Sequence, residues 1–154
     1  MSKYQMIKMT VNLASDPADL EWMSEMAADL ESWQEPTGMW GYPGGGDLSN
    51  TQYAALGLWA AQKRGIAIPE GAWRDLAQAV LACREKAGTG PVGFGYVMGG
   101  IGPTWSMTAA GVGTLAICAD HLGGEHAALA KRARNAIAEG LDWLGAHCPM
   151  HPLQ

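Results

Sequence analysis

Apolar positions along the chain follow two patterns, and the two alternate. Leu20, Met23, Ala27, Leu30 and Trp33 fall on one helical stripe with Glu21, Glu25 and Glu31 elsewhere around it, which is the spacing of an amphipathic helix with one wet face. Trp73, Leu76 and Val80 beside Arg74 and Asp75 repeat the pattern. So do Ala130, Ala133, Ile137, Leu141 and Leu144 among Lys131, Arg132, Arg134, Glu139 and Asp142. Between these segments lie two uncharged helix-like runs, 51–59 and 107–117. A helix that is apolar all round is covered on more than one side, so these two are expected to lie inside the other three. Start signals agree: Asp16-Pro17-Ala18-Asp19 offers an N-cap acid, a proline at the first helical position and an acid in the first turn, and Ile68-Pro69-Glu70 opens the next amphipathic segment similarly. Gly65 and Gly123-Gly124 supply stops. The pattern predicts five helices and no sheet, with the greatest burial over 50–64 and 106–121.

The order amphipathic, uncharged, amphipathic, uncharged, amphipathic makes two and a half hairpins with an inner and an outer layer. A period supports it. Trp40-Gly41-Tyr42 is echoed by Phe94-Gly95-Tyr96, and the pair Ala54-Ala55 by Ala109-Ala110, at spacings that differ by a single position. Hairpins of about 50 residues in two layers suggest a curved α/α array whose ends expose apolar flanks. We divide the chain into an N-terminal extension (1–15), a repeat domain (16–148) and a C-terminal tail (149–154).

Composition narrows the class. The chain has 154 residues, 48% apolar and 16% charged, with a net charge of −5, which fits one globular domain rather than a disordered segment. No apolar run is long enough for a membrane span, and the N-terminus lacks a signal peptide's apolar core, so a cytoplasmic protein is expected. Cys83, Cys118 and Cys148 are few and widely spaced, unlike a disulfide framework. A pI near 5.2 offers no electrostatic footprint for nucleic acid. Against this plain background, 21 glycines and seven tryptophans beside a single phenylalanine call for a motif.

That motif lies at the junctions between outer and inner helices. In Gln34-Glu35-Pro36-Thr37-Gly38-Met39-Trp40, Gln34, Gly38 and Trp40 stand in the order of the QW motif of squalene-hopene cyclases and related α/α-toroid proteins. With the string that follows, from Gly41 to Leu58, and with Trp105-Ser106-Met107-Thr108-Ala109-Ala110-Gly111 and Gly140-Leu141-Asp142-Trp143-Leu144, residues 20–147 resemble bacterial prenyltransferase/squalene oxidase repeat proteins of the terpenoid cyclase and protein prenyltransferase superfamily. In the second repeat Arg84 replaces the glutamine and Phe94 the tryptophan. The resemblance implies an all-α, α/α-toroid-like array forming a partial or open ring, with a cavity for an isoprenoid or other apolar ligand. It also makes Gln34, Gly38 and Trp40 architectural. Physical chemistry agrees: a glutamine can satisfy backbone groups at a helix end, a tryptophan can fill the wedge between hairpins, and Gly38 and Gly41 let the chain turn sharply.

The chemistry of the resembling enzymes needs further residues. Terpene cyclases protonate an alkene or epoxide with an Asp-x-Asp-Asp motif, absent here; the nearest string, Asp16-Pro17-Ala18-Asp19, is a helix cap. Zinc prenyltransferases use an Asp-x-Cys pair, whereas this chain has Cys118-Ala119-Asp120 in reverse order. His147, Cys148 and His151 cluster near the C-terminus but Pro149 separates them, and His121 with His126 reads as helix-terminal. No metal or cofactor is expected. The Gly44-Gly45-Gly46 loop carries no lysine, and Asp47 would repel phosphate. Asp47 or Ser49 reads as an N-cap, and Asp47 is the one weak candidate for a catalytic group. A ligand site, if the ring mouth forms one, takes Tyr42, Asp47, Asn50, Gln52, Tyr53, Tyr96 and Trp105.

Two functions stay open: a cyclase-like or prenyltransferase-like domain binding an isoprenoid or other apolar molecule, with or without catalysis, and a non-catalytic helical scaffold for self-assembly or protein interaction. A carbohydrate-active toroid is a lesser third. Toroids of this kind close with about six hairpins, so two and a half hairpins make an open arc that self-associates or belongs to a larger ring.

Overall fold

Proline at position 17, harmless in a first turn whose N–H groups have no intrahelical acceptor, begins the first helix. This computed structural model describes residues 17–43, 45–85, 90–99 and 102–147; the expected extension 1–15, the tail 149–154, and Asp16, Gly44 and Cys148 lie outside the described residues. Helix α1 spans Pro17–Ser32, α2 Leu48–Lys63, α3 Glu70–Ala82, α4 Trp105–His121 and α5 Ala127–His147, with a 3₁₀ turn at Gly124–His126. The protein is mostly helical, and the five expected helices are present.

The expectation of no sheet is corrected. Strands β1 (Gly41–Tyr42) and β2 (Gly45–Gly46) pair antiparallel, Gly41 opposite Gly46 and Tyr42 opposite Gly45, and Arg84 bridges Phe94 in the second loop. Glycine permits the first ladder: a Cβ on Gly41 would run into the Gly45 carbonyl. Helical periodicity carries no signal for so short a pairing, so the sequence pattern missed it.

Packing follows the alternation. Uncharged helices α2 and α4 pack on each other, α1 on α2, α3 on α4, α5 on both α4 and α3. Seven of the sixteen residues of α2 and eight of the seventeen of α4 are buried, against three of sixteen in α1 and six of twenty-one in α5. The core holds Met23, Trp40, Leu58, Trp73, Leu76, Phe94 and Leu115. Close approach is set by small residues: a Cβ on Gly140 of α5 would lie 2.6 Å from Val112 of α4, and one on Gly111 would meet the Phe94 ring. The two uncharged helices are the most buried of the five, as expected, yet each keeps one side open. Tyr53, Leu56 and Trp59 are each more than a third exposed.

The repeat is real in the hydrogen bonds, but its phase differs from the Ala-Ala echo. Trp40 N–H donates to Thr51 Oγ1 (3.1 Å) and Phe94 N–H to Thr108 Oγ1 (3.0 Å). Asp47 caps α2 by accepting from Asn50 N–H (2.8 Å), and Thr104 caps α4 by accepting from Met107 N–H (3.2 Å). Asp47 N–H donates to the Trp40 carbonyl and Thr104 N–H to that of Phe94. The inner helices therefore match in the register that pairs Asp47 with Thr104 and Thr51 with Thr108. The loop aromatics Trp40 and Phe94 match at a shorter separation than this, and the outer helices at a shorter one still. There Met23, Ala27 and Leu30 correspond to Trp73, Ala77 and Val80, and all six are buried. Ala54 matches Gly111, not Ala109. Extra residues in the second loop shift the phase between elements, which a single fixed period cannot follow.

Candidate functional site

The loop that ends α1 is held from three sides. Gln34 Nε2 donates to the Gly38 carbonyl (3.0 Å) and to the Ala72 carbonyl on α3 (3.3 Å), tying one hairpin to the next. Trp40 is 1% exposed, and its indole N–H donates to the Leu30 carbonyl at 2.7 Å, satisfying one of the acceptors left over at the end of α1. Gly38 has φ +86°, and a Cβ there would strike the Asp75 carbonyl of α3, so both the turn and the approach to α3 require glycine. At the matching place Arg84 forms an ion pair with Glu139 of α5. The hairpin tie persists there with a charge pair in place of a side-chain-to-backbone bond.

Of the expected ligand residues, the structure gathers four at the start of α2. Asp47 is 4% exposed and accepts from Asn50 N–H through Oδ1 and from Asn50 Nδ2 through Oδ2 (2.7 Å). The Tyr96 carbonyl accepts from Leu48 N–H (2.8 Å), so the second loop closes on the first inner helix. Desolvation, followed by the charge of Asp47 and a hydrogen bond to it, raises the Tyr96 phenol above its ordinary range, with Tyr42 adding to the shift. Burial and then the Asp47 charge push the Cys83 thiol up to about 12. Asp47 thus serves as a cap and a junction between loops, with both oxygens engaged. Tyr42 and Tyr96 stay exposed at its rim.

Gln52, Tyr53 and Trp105 are placed elsewhere. Gln52 and Tyr53 lie on the open side of α2 with Leu56 and Trp59, and Trp105 forms the exposed first residue of α4. A shallow open depression of about 630 Å³ lies between Trp33, Glu35, Pro36, Tyr42 and Pro43; Tyr42 is the one expected ligand residue lining it. Among the described residues no group of three or more His, Cys, Asp or Glu could hold a metal ion. His147 stacks on Trp143 with its Nδ1 2.8 Å from the Trp143 carbonyl, while its expected neighbours Cys148 and His151 lie outside the described residues. His121 stacks on Trp73 (centroids 4.8 Å apart), and desolvation lowers its pKa. Cys118 is buried, which pushes its thiol up to about 12.

What the sequence reading missed is a surface. In the register that pairs Thr51 with Thr108, Leu56 matches Gly113, Trp59 matches Ala116 and Lys63 matches Asp120, and all six are exposed. The same side of each inner helix is therefore open, on two helices that pack on each other. Two other pairs differ: Leu48 is buried where Trp105 is 48% exposed, and Ala110 is buried where Tyr53 is 37% exposed. Among the described residues, these are the flanks at which α2 has no earlier inner helix beside it and α4 no later one. Aligning the two inner helices on their threonines, rather than on their Ala-Ala pairs, would have paired these positions in the sequence, while their exposure needed the structure.

Comparison with protein families, with curated proteins and with solved structures returns no match for this chain. Among the described residues no helix is long and apolar enough to cross a membrane.

Proposed function

We propose that the protein is a partial α/α-toroid module that uses the open face of α2 and α4 as a docking surface for a folded partner. One observation carries the reading: two helices related by an internal repeat leave the same side uncovered, and on α2 that side is Leu56 and Trp59 beside Tyr53. Contiguous exposed apolar surface, unlike apolar side chains scattered singly, marks an interaction or ligand site. The layered contacts of α2 with α4 and of α3 with α5 support the toroid-like arc, as does the Gln34 tie between hairpins. Asp47 is a cap in this reading, and its engaged oxygens suit that role.

The aromatic content of the same face favours a second reading, in which an isoprenoid or similar apolar molecule lies across Trp59 and Tyr53. Native mass spectrometry of protein purified from its own host separates the two. A mass gain equal to a whole polypeptide supports the docking module, and a gain of a few hundred daltons supports the small-ligand reading. Trp59→Arg, which puts a charge on the face without touching the core, must release whichever is bound. A bare chain in both wild type and variant overturns both.

A further inference from the structure

The open face has two halves of opposite shape. Along α2 its side chains are large, Leu56 and Trp59, and along α4 the matching positions are Gly113 and Ala116. Near its end α2 carries Lys63 and α4 carries Asp120, both exposed. The two helices pack on each other, and links near both ends set them in the same direction with their matching positions at about the same height. Leu48 at the start of α2 is bonded to Tyr96 in the loop leading to α4, and Lys63 at the end of α2 lies close enough for its charge to act on His121 at the end of α4.

We infer that a second copy of this chain covers the face, related to the first by a two-fold axis parallel to α2 and α4. The inference rests on the docking reading above and names its partner. An axis in that direction exchanges left and right while preserving height, so α2 of each copy stands over α4 of the other. Leu56 then meets Gly113 of the second copy, Trp59 meets its Ala116, and Lys63 meets its Asp120, and each contact occurs twice. At these three positions large meets small and cation meets anion. An axis running across the helices sets α2 on α2 and α4 on α4, which opposes large to large, leaves a gap between the small pair and moves Lys63 away from Asp120. Size and charge together select the parallel arrangement. Lys63 is also held over the Trp59 ring, 5.6 Å from its centroid, so the cation is already positioned on the face.

Sedimentation velocity of the full chain across the micromolar range tests this. A Cβ on Gly113 meets open space, so Gly113→Leu leaves the monomer intact, favours the helix and fills the groove that Leu56 of the second copy needs. Wild type is expected to sediment as a dimer, and Gly113→Leu to weaken it at least about 100-fold. Lys63→Asp sets like charges together twice and weakens the dimer about tenfold or more, and Lys63→Asp with Asp120→Lys restores it. A dimer unaffected by Gly113→Leu, or a double variant that fails to recover, overturns the inference. A wild-type monomer that binds a different macromolecule, lost in Trp59→Arg, overturns the second copy and leaves the docking reading standing. A wild-type monomer that binds nothing overturns both.

Discussion

The two loop-to-inner-helix units, residues 34–63 and 84–120, solve one structural problem with different side chains. Each loop aromatic is buried, each has its backbone N–H bonded to a threonine one turn into the inner helix, and each inner helix has a side-chain cap. The first unit uses Trp40, Gln34 and Asp47; the second uses Phe94, Arg84 and Thr104. What is retained is the backbone geometry at the junction, and what varies is how the hairpins are tied. Trp40 binds a carbonyl of its own outer helix, which Phe94 has no donor to do. Gln34 reaches the next outer helix through a carbonyl, and Arg84 through Glu139. The combination of Gln34, Gly38 and Trp40 is thus one chemical solution to a junction that the fold builds twice.

Truncating the aromatics gives the largest effect. Trp40→Ala is expected to lower stability by about 3 to 5 kcal/mol in chemical denaturation, from the lost volume and the cavity it leaves. Phe94→Ala is expected to cost less, since no hydrogen bond goes with it. Equal losses, or an unchanged Trp40→Ala midpoint, would remove Trp40 from the architectural role.

The threonine pair sharpens the same contrast. Thr51 both accepts from Trp40 N–H and donates to the Trp40 carbonyl, whereas Thr108 accepts from Phe94 N–H. Replacing either by valine strands a buried N–H and costs about 1 to 3 kcal/mol, with Thr51→Val the more severe. Reversal of that order in urea unfolding would show that the two junctions are not built alike.

Next come the caps. Asp47→Ala and Thr104→Ala should each cost about 1 kcal/mol, while Asp47→Asn keeps an acceptor oxygen and should be tolerated. If Asp47→Asn abolished a measured turnover with the fold intact, Asp47 would be a catalytic group and the docking reading would fall.

The smallest expected effect separates the ends of the two units. Arg64 follows α2, and at the matching place His121 ends α4, stacked on Trp73 with its pKa lowered by desolvation, against the opposing pull of Asp120 and with a smaller push from Lys63. Because the unfolded chain takes up the proton more readily than the folded one, stability is full above about pH 6.5 and declines as pH falls toward the lowered folded value. His121→Asn should flatten that decline below about pH 6.5. An identical slope in the variant assigns the acid sensitivity to another group.

Helix number, the alternation of wet and uncharged helices and the repetition of a loop aromatic were all legible in the sequence. Each is a local property: a stripe such as Met23, Ala27 and Leu30, a proline at position 17, or an acid before α2 acts within one or two turns. Asp47 could be recognised as a cap for the same reason. Only the tertiary structure decided that Thr51 corresponds to Thr108 along the inner helices while Met23 corresponds to Trp73 along the outer ones, because that phase depends on which backbone groups the two threonines reach. It also decided which side of each uncharged helix stays open. An apolar side chain such as Leu56 reads the same whether it faces a core or water, and the difference lies in which other elements pack against it. The grouping of Tyr42, Asp47, Asn50 and Tyr96, and the separation of Gln52, Tyr53 and Trp105 from them, rest on the second loop folding back onto the start of α2, where Leu48 meets Tyr96 across a long stretch of intervening chain.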